Sequence, residues 1–197
     1  PHPPHHAALT LDAGTAVVVV GEGEHTLEEL IVALSASAKA TARQALDEEL
    51  SKINGIVFKS ENGKAASTPA RALLPDLDSQ PYPDREAIDL SRYLTAWREH
   101  HGSATVSLIT ARGCPYTCTW CSRSVFGQSH RRRSPGNVAD EVEEIVRRYR
   151  PERLWYADGV FAIHRGWTLA YATELDRRGL RLPFECISPA ERIDGDV

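Results

Sequence analysis

Several features that would assign a chain to a large protein class are missing from this sequence. Its 197 residues include no methionine, and 23 Lys and Arg residues are outnumbered by 27 Asp and Glu residues, for a formal net charge of −4. This balance gives no general attraction to nucleic acid, so no nucleic-acid partner is predicted. No apolar run approaches the roughly 20 residues of a membrane-spanning helix, and no charged leader precedes an apolar stretch at the N-terminus. We therefore predict neither a membrane span nor a signal peptide.

Cysteine is scarce but clustered. Only four cysteines are present, and three of them, Cys114, Cys118 and Cys121, lie close together in the sequence. A secreted disulfide framework would distribute its cysteines along the chain. The cluster instead predicts a metal or iron–sulfur site in the reducing cytoplasm.

The first third of the chain carries signals for a strand, helices and a hairpin. The β-branched run at 17–20 is typical of a strand buried on both faces. Apolar residues at helical spacing predict one long or two short helices over 26–52, with Thr26 as N-cap and Glu29 as its capping-box partner. A small hairpin is predicted around the Asn-Gly turn at 62–63.

The remainder divides into a proline-punctuated stretch and a regular one. Residues 68–100 have weak apolar periodicity and predict an ordered linker, with a helix near its end. From residue 105, strands alternate with helices: strands at 106–109, 154–157 and 184–187, helices at 134–149 and 165–178. This order predicts right-handed parallel units. A parallel barrel needs more strands to close, so these predict only its opening.

The spacing CxxxCxxC carries the clearest chemistry. Three thiolates at Cys114, Cys118 and Cys121 can ligate three irons of a 4Fe–4S cluster, since cysteine is the usual ligand of such clusters. The fourth iron then has no local ligand and an open coordination position. Two alternatives remain open, a zinc site completed by Cys186 and a disulfide. Otherwise we interpret Cys186 as a buried strand residue.

The segment RGCPYTCTWC, residues 112–121, resembles the signature of the radical S-adenosylmethionine (SAM) superfamily, including Trp120 before the last cysteine. The resemblance implies that the fourth iron chelates the amino and carboxylate groups of SAM. An electron from the reduced cluster then cleaves the sulfonium to a 5′-deoxyadenosyl radical, with reduced flavodoxin or ferredoxin as the expected donor. The resemblance also places Tyr116 and Trp120 among the predicted SAM-binding residues.

Three residues at strand ends or near the loop are further candidates for SAM binding. Asp158 follows the 154–157 strand, where a carboxylate could hold the SAM ammonium. Related sequences carry a second aspartate next to it, but Gly159 stands here. Ser188 follows the third strand. The basic run at 131–133 lies in a segment that resembles the one after the cluster in cobalamin-dependent members of the superfamily, which implies that Arg133 pairs with the methionine carboxylate. The alternatives are a solvated loop aspartate, a Ser-Pro turn and a solvated run of charge.

The segment VVVVGEGEHTLEEL resembles the last strand, loop and helix of a cobalamin-binding Rossmann-like domain. The resemblance implies that Gly21, Glu22, Gly23 and Glu24 lie against the nucleotide tail of cobalamin, because glycines allow close approach of the backbone. None of the eight histidines lies in the DxHxxG pattern that often supplies the lower cobalt ligand in that family.

Together these features predict an α/β chain: the C-terminal part of a Rossmann-like domain (1–67), a linker (68–100) and the N-terminal part of a radical SAM barrel (101–197). The missing methionine and the incomplete barrel predict a fragment. The resemblance implies an enzyme with a 4Fe–4S cluster, SAM and cobalamin that transfers a methyl group to an unactivated centre of a small-molecule substrate. Alternatives are an oxidative cyclase of the same family, a non-catalytic iron–sulfur carrier and an inactive truncated product.

Overall fold

A computed structural model describes residues 7, 10–37, 43–121 and 126–195, and it divides into two compact units. The N unit comprises residues 1–74 and 116–128. The C unit comprises residues 75–115 and 129–197. Both combine helices with sheet, so the predicted mixed α/β class is confirmed.

The described part of the N unit includes a three-stranded antiparallel sheet and two helices that follow its first strand. In chain order these are β1 (Val17–Val19), α1 (Glu24–Ser37), α2 (Arg43–Leu50), β2 (Ile56–Lys59) and β3 (Ala65–Ser67). The sheet order is β1-β2-β3, with β1 half-buried rather than buried on both faces. The hairpin between β2 and β3 is present, and Gly63 has φ +78°, a conformation that glycine adopts without strain.

The start of α1 differs from the predicted capping box. The helix already begins at Glu24, and the amide of Leu27 donates to the carbonyl of Gly23 at 2.7 Å. Thr26 is buried, and its hydroxyl accepts a 2.8 Å bond from Arg71 Nε. Arg71 also forms an ion pair with Glu29. The capping-box prediction was wrong because a distant arginine engages both side chains that the local pattern paired with each other.

Helix α1 buries a narrower face than its apolar pattern indicates. Leu30 packs against Leu50, Ile56 and Phe58 in the core of the N unit. Leu27 and Ile31 remain 51% and 55% exposed. Periodicity identified the helix correctly, but most of its apolar side chains lie outside this core.

The C unit is built on a parallel sheet of order β4-β7-β8. Its elements are α3 (Leu90–His101), β4 (Thr105–Leu108), β5 (Ala111–Arg112), β6 (Arg131–Arg132), α4 (Pro135–Tyr149), β7 (Arg153–Tyr156), α5 (Arg165–Arg177) and β8 (Phe184–Cys186), followed by a 3₁₀ turn at Ala190–Arg192. The predicted alternation of strands and helices is present. Parallel pairing brings the carboxyl ends of β4 and β7 to one edge of the sheet.

Local signals explain why α4 forms where it does. Ser134 caps it, with its hydroxyl accepting from the amide of Asn137 at 3.2 Å, and proline occupies the first turn. The residues that α4 buries recur at helical spacing: Val138, Val142 and Ile145. They pack against Leu154 and Tyr156 of β7, which fixes the edge of the sheet where the cysteine-containing loop begins.

Part of the predicted linker belongs to the C unit. Leu94 of α3 lies in its core, and the Tyr82 hydroxyl donates to the carbonyl of Asn137 at 3.0 Å. The domain boundaries at 67 and 100 stay a prediction. Within the described ranges, no helix is both long enough and apolar enough to cross a bilayer.

Candidate functional site

The cysteine loop, residues 113–130, starts just beyond the carboxyl end of β4. A two-residue antiparallel ribbon closes its base, pairing Ala111 with Arg132 and Arg112 with Arg131. The amide of Arg133 donates to the carbonyl of Thr110 at 3.0 Å, which extends this closure by one bond. The two ends of the loop are thereby held side by side at the edge of the parallel sheet.

The thiols of the loop differ in exposure. Cys114 is half-buried, whereas Cys118 and Cys121 are exposed. The amide of Cys121 donates to the carbonyl of Cys118 at 3.3 Å, so a turn joins these two residues. All four cysteines lie in the described part of the chain, and each is a free thiol there. This finding gives no support to the disulfide alternative.

The donor set fits an iron–sulfur cluster chemically, because three unbonded thiols are the ligands such clusters require. Among the described residues, however, no three His, Cys, Asp or Glu side chains are grouped so that they could hold a metal ion. The assignment of Cys114, Cys118 and Cys121 as cluster ligands therefore stays a prediction. The same holds for the zinc alternative with Cys186, a half-buried residue of β8.

Asp158 lies at the carboxyl end of β7, as predicted, but its carboxylate serves the protein itself. The residue is 2% exposed. Its oxygens accept from the amides of Thr110 at 2.7 Å and Ala111 at 3.0 Å, and from the Thr110 hydroxyl. Arg132 contributes a further bond at 3.3 Å. The predicted contact of Asp158 with the SAM ammonium would have to replace at least one of these bonds, and it stays a prediction.

Arg132 is buried at the base of the loop, where its guanidinium joins several elements. It donates to the Thr110 hydroxyl at 2.9 Å and to the carbonyl of Phe161 at 2.5 Å, besides pairing with Asp158. The guanidinium carbon lies 3.6 Å from the centre of the Trp167 ring. Burial lowers the pKa of Arg132 to about 10, and the nearby Asp158 carboxylate opposes this shift. The side chain therefore remains a cation at neutral pH.

Arg133 is likewise engaged by protein groups. It forms an ion pair with the buried carboxylate of Glu141 and donates to the Asn137 amide oxygen at 2.6 Å and the Ile109 carbonyl at 3.0 Å. Glu141 also pairs with Arg85 at 2.7 Å. The predicted contact of Arg133 with the methionine carboxylate would have to replace at least one of these bonds.

The other predicted SAM-binding residues have varied surroundings. Ser188 accepts a 3.1 Å bond from the amide of Ala162, as expected for a residue that stabilises a turn. Tyr116 is half-buried, and Trp120 is 88% exposed. A Cβ atom at Gly159 would lie 3.8 Å from the Cβ of Cys114, so the loop after β7 runs beside the first cysteine.

The predicted cobalamin-binding residues form the turn between β1 and α1. Gly21 has φ +88°, which requires glycine, and a Cβ at Gly23 would be 3.5 Å from a methyl group of Val19. Glu22 is buried, and its carboxylate accepts a 2.6 Å bond from the amide of Leu74. Glu24 begins α1. The carboxylate of Glu22 thus holds the chain at Leu74 against this turn.

Sequence reasoning missed two residues of the loop base. Arg132 was interpreted only as part of a charged run, and Trp167 was not singled out. Trp167 donates its indole N–H to the carbonyl of Arg133 at 2.8 Å and stacks beneath Arg132. A tryptophan in the first turn of a helix was the available signal, but only the tertiary structure shows which cation it contacts.

No protein-family model matches the chain. Among curated proteins, an uncharacterized methyltransferase of Pyrococcus horikoshii is 29% identical over 172 residues, which cover 87% of this chain and 34% of that protein. The anaerobic magnesium-protoporphyrin IX monomethyl ester cyclase of Rubrivivax gelatinosus is 30% identical over 163 residues, covering 83% of this chain and 27% of the cyclase. The chain thus spans about a third or less of each of these two relatives.

The fold is also similar to solved structures of cobalamin-dependent radical SAM enzymes. OxsB, solved with aqua-cobalamin and SAM bound, aligns with 85% of this chain and 22% of its own at a TM-score of 0.63 and 23% identity. TsrM of Kitasatospora setae, solved with cobalamin and a 4Fe–4S cluster, aligns with 88% of this chain and 32% of its own at the same TM-score. The resemblance to the cobalamin-dependent radical SAM family is confirmed. The similar proteins are named as methyltransferases and a cyclase, which supports an enzyme of this family.

Proposed function

We propose that this chain carries the cluster-binding part of a radical SAM enzyme, with Cys114, Cys118 and Cys121 as ligands of a 4Fe–4S cluster. The observation that carries the proposal is the position of the cysteine loop. It leaves the parallel sheet at the carboxyl end of β4, in a chain whose fold is similar to that of solved radical SAM enzymes. When bound, the cluster would supply the electron for reductive cleavage of SAM and the open iron position that holds it.

Binding of the cluster would bring its three ligand thiols together. Two of the three thiols are exposed, so iron reaches them without unfolding the sheet. Metal sites seldom exist fully formed before the metal binds, and ligation supplies free energy for closing them. Because the ribbon of β5 and β6 already holds the ends of the loop together, only the segment between them has to rearrange.

The other proposed contacts are those with SAM and cobalamin, at the residues that the family resemblance indicates. Tyr116, Trp120, Ser188, Asp158 and Arg133 remain the proposed SAM contacts. A contact of SAM with Asp158 or Arg133 would replace a bond that the side chain now makes to the protein. For cobalamin, the turn formed by Gly21, Glu22, Gly23 and Glu24 is the proposed contact. The carboxylate of Glu22 accepts from the amide of Leu74, so Glu22 would contribute its backbone. In this proposal the N unit supplies the end of a Rossmann-like domain and the C unit the first strands of a barrel.

Methyl transfer to an unactivated centre of a small molecule is the proposed reaction of the whole protein, with a reduced flavodoxin or ferredoxin as electron donor. Its support is the methyltransferase relative and the likeness to TsrM. Oxidative cyclisation is the second candidate, because the cyclase relative is as similar to the chain as the methyltransferase. A carrier without SAM chemistry, or an inactive truncated product, remains the alternative for this polypeptide alone.

Anaerobic reconstitution tests the ligand assignment. The chain should bind about four irons and show the absorption of a 4Fe–4S cluster. Cys118→Ser should abolish this cluster, because two local thiolates hold it too weakly. Cys186→Ser is the matched control and should load like the wild type. Iron bound equally by both variants, or zinc bound in preference to iron, would contradict the assignment.

SAM cleavage separates an enzyme from a carrier. With dithionite and SAM, the reconstituted chain should release 5′-deoxyadenosine, and SAM should change the electron paramagnetic resonance spectrum of the reduced cluster. An unchanged spectrum would favour the carrier. Aqua-cobalamin binding, followed by its visible absorption, tests the proposed contact in the N unit independently of iron.

A further inference from the structure

The two ends of the cysteine loop are bound by different partners. The incoming end, at Thr110 and Ala111, is held by the carboxylate of Asp158 through two backbone amides. The outgoing end is held by Trp167, whose indole N–H donates to the carbonyl of Arg133. The side chain of Arg132 connects the two, because it belongs to the outgoing strand and bonds to groups of the incoming one.

This burial of Arg132 brings no obvious gain in stability. Removing a guanidinium from water is costly, and buried ion pairs are often no more stabilising than apolar side chains of similar size. Its Nε is buried and makes no hydrogen bond to any group in the described part of the chain. What a guanidinium offers here is geometry: one planar group bonds at once to Thr110, Asp158 and Phe161 while stacking on Trp167.

The same contacts lead to the first cysteine. Gly159 directly follows Asp158, and a Cβ atom placed on it would be 3.8 Å from the Cβ of Cys114. Cys114 itself is three residues beyond Ala111, whose amide donates to Asp158. A shift of Asp158 relative to the incoming strand would therefore move the loop after β7 against Cys114.

We propose that Arg132 is a positioning residue for Cys114: it joins the two ends of the cysteine loop through Asp158 and Thr110 and sets where this thiol stands. The inference rests on the proposed function, in which Cys114 is a cluster ligand. Arg132 acts only through these neighbours and contacts neither cluster nor SAM in this account. A lysine would keep the charge, but its single nitrogen cannot occupy both of the positions from which Nη1 bonds to Phe161 and Nη2 bonds to Thr110 and Asp158.

The first test uses the iron-free chain, in which each thiol reports on its own surroundings. Alkylation of each cysteine by iodoacetamide is followed by mass spectrometry in the wild type, Arg132→Gln and Arg132→Lys. Both variants should alkylate Cys114 about tenfold faster, as expected when a local opening becomes about 1.4 kcal/mol easier. Cys118 and Cys121 are already exposed and should react at unchanged rates, which provides an internal control.

Arg178→Gln is the matched control variant. Arg178 is another largely buried arginine of the C unit, and it pairs with Asp140, Glu143 and Glu174 away from the loop. Its loss removes ion pairs without touching Thr110 or Asp158, so Cys114 should react at the wild-type rate. If the control accelerates Cys114 as much as Arg132→Gln does, general destabilisation explains the effect and the inference is wrong.

Reconstitution of the same variants tests the connection to the cluster. Arg132→Gln and Arg132→Lys should bind less than half of the wild-type iron under identical conditions, whereas Arg178→Gln should match the wild type. Recovery of full loading by lysine would show that charge alone is sufficient and would overturn the positioning role. Unchanged reactivity of Cys114 in both variants would overturn it as well. Absence of iron from the wild type would instead overturn the proposed function, whatever the alkylation rates.

Discussion

The base and the remainder of the cysteine loop are built in opposite ways. At the base, Asp158 and Thr110 are buried, and every oxygen of the Asp158 carboxylate accepts hydrogen bonds. Further along, Cys118 and Cys121 are exposed thiols, and Trp120 between them is 88% exposed. The structure thus combines a buried attachment with exposed sulfur donors. Such a combination suits a site that closes around an inorganic cofactor, because precise sites need a rigid support.

The largest expected effect on stability comes from removing the Asp158 carboxylate at the base of the loop. Asp158→Ala would leave the Arg132 cation buried without its partner and deprive the amides of Thr110 and Ala111 of their acceptor. Breaking a buried ion pair in this way costs about 3–5 kcal/mol of unfolding free energy. Urea denaturation of the iron-free chain, followed by circular dichroism, measures it.

The control for this substitution is Asp176→Ala. Asp176 is exposed and forms a surface ion pair with Arg181 at 3.3 Å. Removing such a pair changes stability by about 1 kcal/mol or less. Equal unfolding free energies of Asp158→Ala and Asp176→Ala would contradict the view that the base is the rigid part of the loop.

A smaller effect is expected from pH. Desolvation, together with the nearby Arg132 and His164 side chains, lowers the pKa of His130 below its ordinary 6.5, although the Asp158 carboxylate acts in the opposite direction. As pH falls through 6.5, the unfolded chain gains a proton at this position before the folded chain does, so the stability of the folded chain decreases. Below the folded-state pKa the contribution levels off.

His130→Gln should therefore reduce the loss of stability between pH 7.5 and pH 5.5. Denaturation midpoints across this range provide the measurement. His100→Gln, at an exposed position of α3, should retain the wild-type pH dependence. If His130→Gln and the wild type lose the same stability between pH 7.5 and pH 5.5, His130 does not contribute to the pH dependence and the prediction is wrong.

The smallest effect is expected at the exposed part of the loop. Trp120→Ala should change the unfolding free energy of the iron-free chain by less than about 0.5 kcal/mol, because the ring is 88% exposed. Trp167→Ala removes a ring that stacks on Arg132 and donates to Arg133, and it should cost several times more. Thermal denaturation of the pair measures the difference. Equal losses of unfolding free energy in Trp120→Ala and Trp167→Ala would contradict the distinction between the exposed part of the loop and its buried base.

Local and regular features were predicted well. Ser134 caps α4 as its Ser-Pro start indicates, and Val138, Val142 and Ile145 line its buried face. The strands β4, β7 and β8 lie where short apolar runs follow turns. These predictions succeed because capping and periodicity depend on residues a few positions apart. The capping box at Thr26 failed because Arg71, 45 residues away, determines how that side chain is used.

The amino-acid sequence alone determines the α/β class, the order of the elements and the three clustered thiols. Each of these depends on composition or on residues a few positions apart. The family resemblance follows from the same short segments. Only the folded chain decides that Asp158 binds the amides of Thr110 and Ala111, and that Arg132 connects the two ends of the loop. The physical reason is that a buried charge bonds to the partners that packing brings to it, and those partners lie 22 to 48 residues away in the sequence.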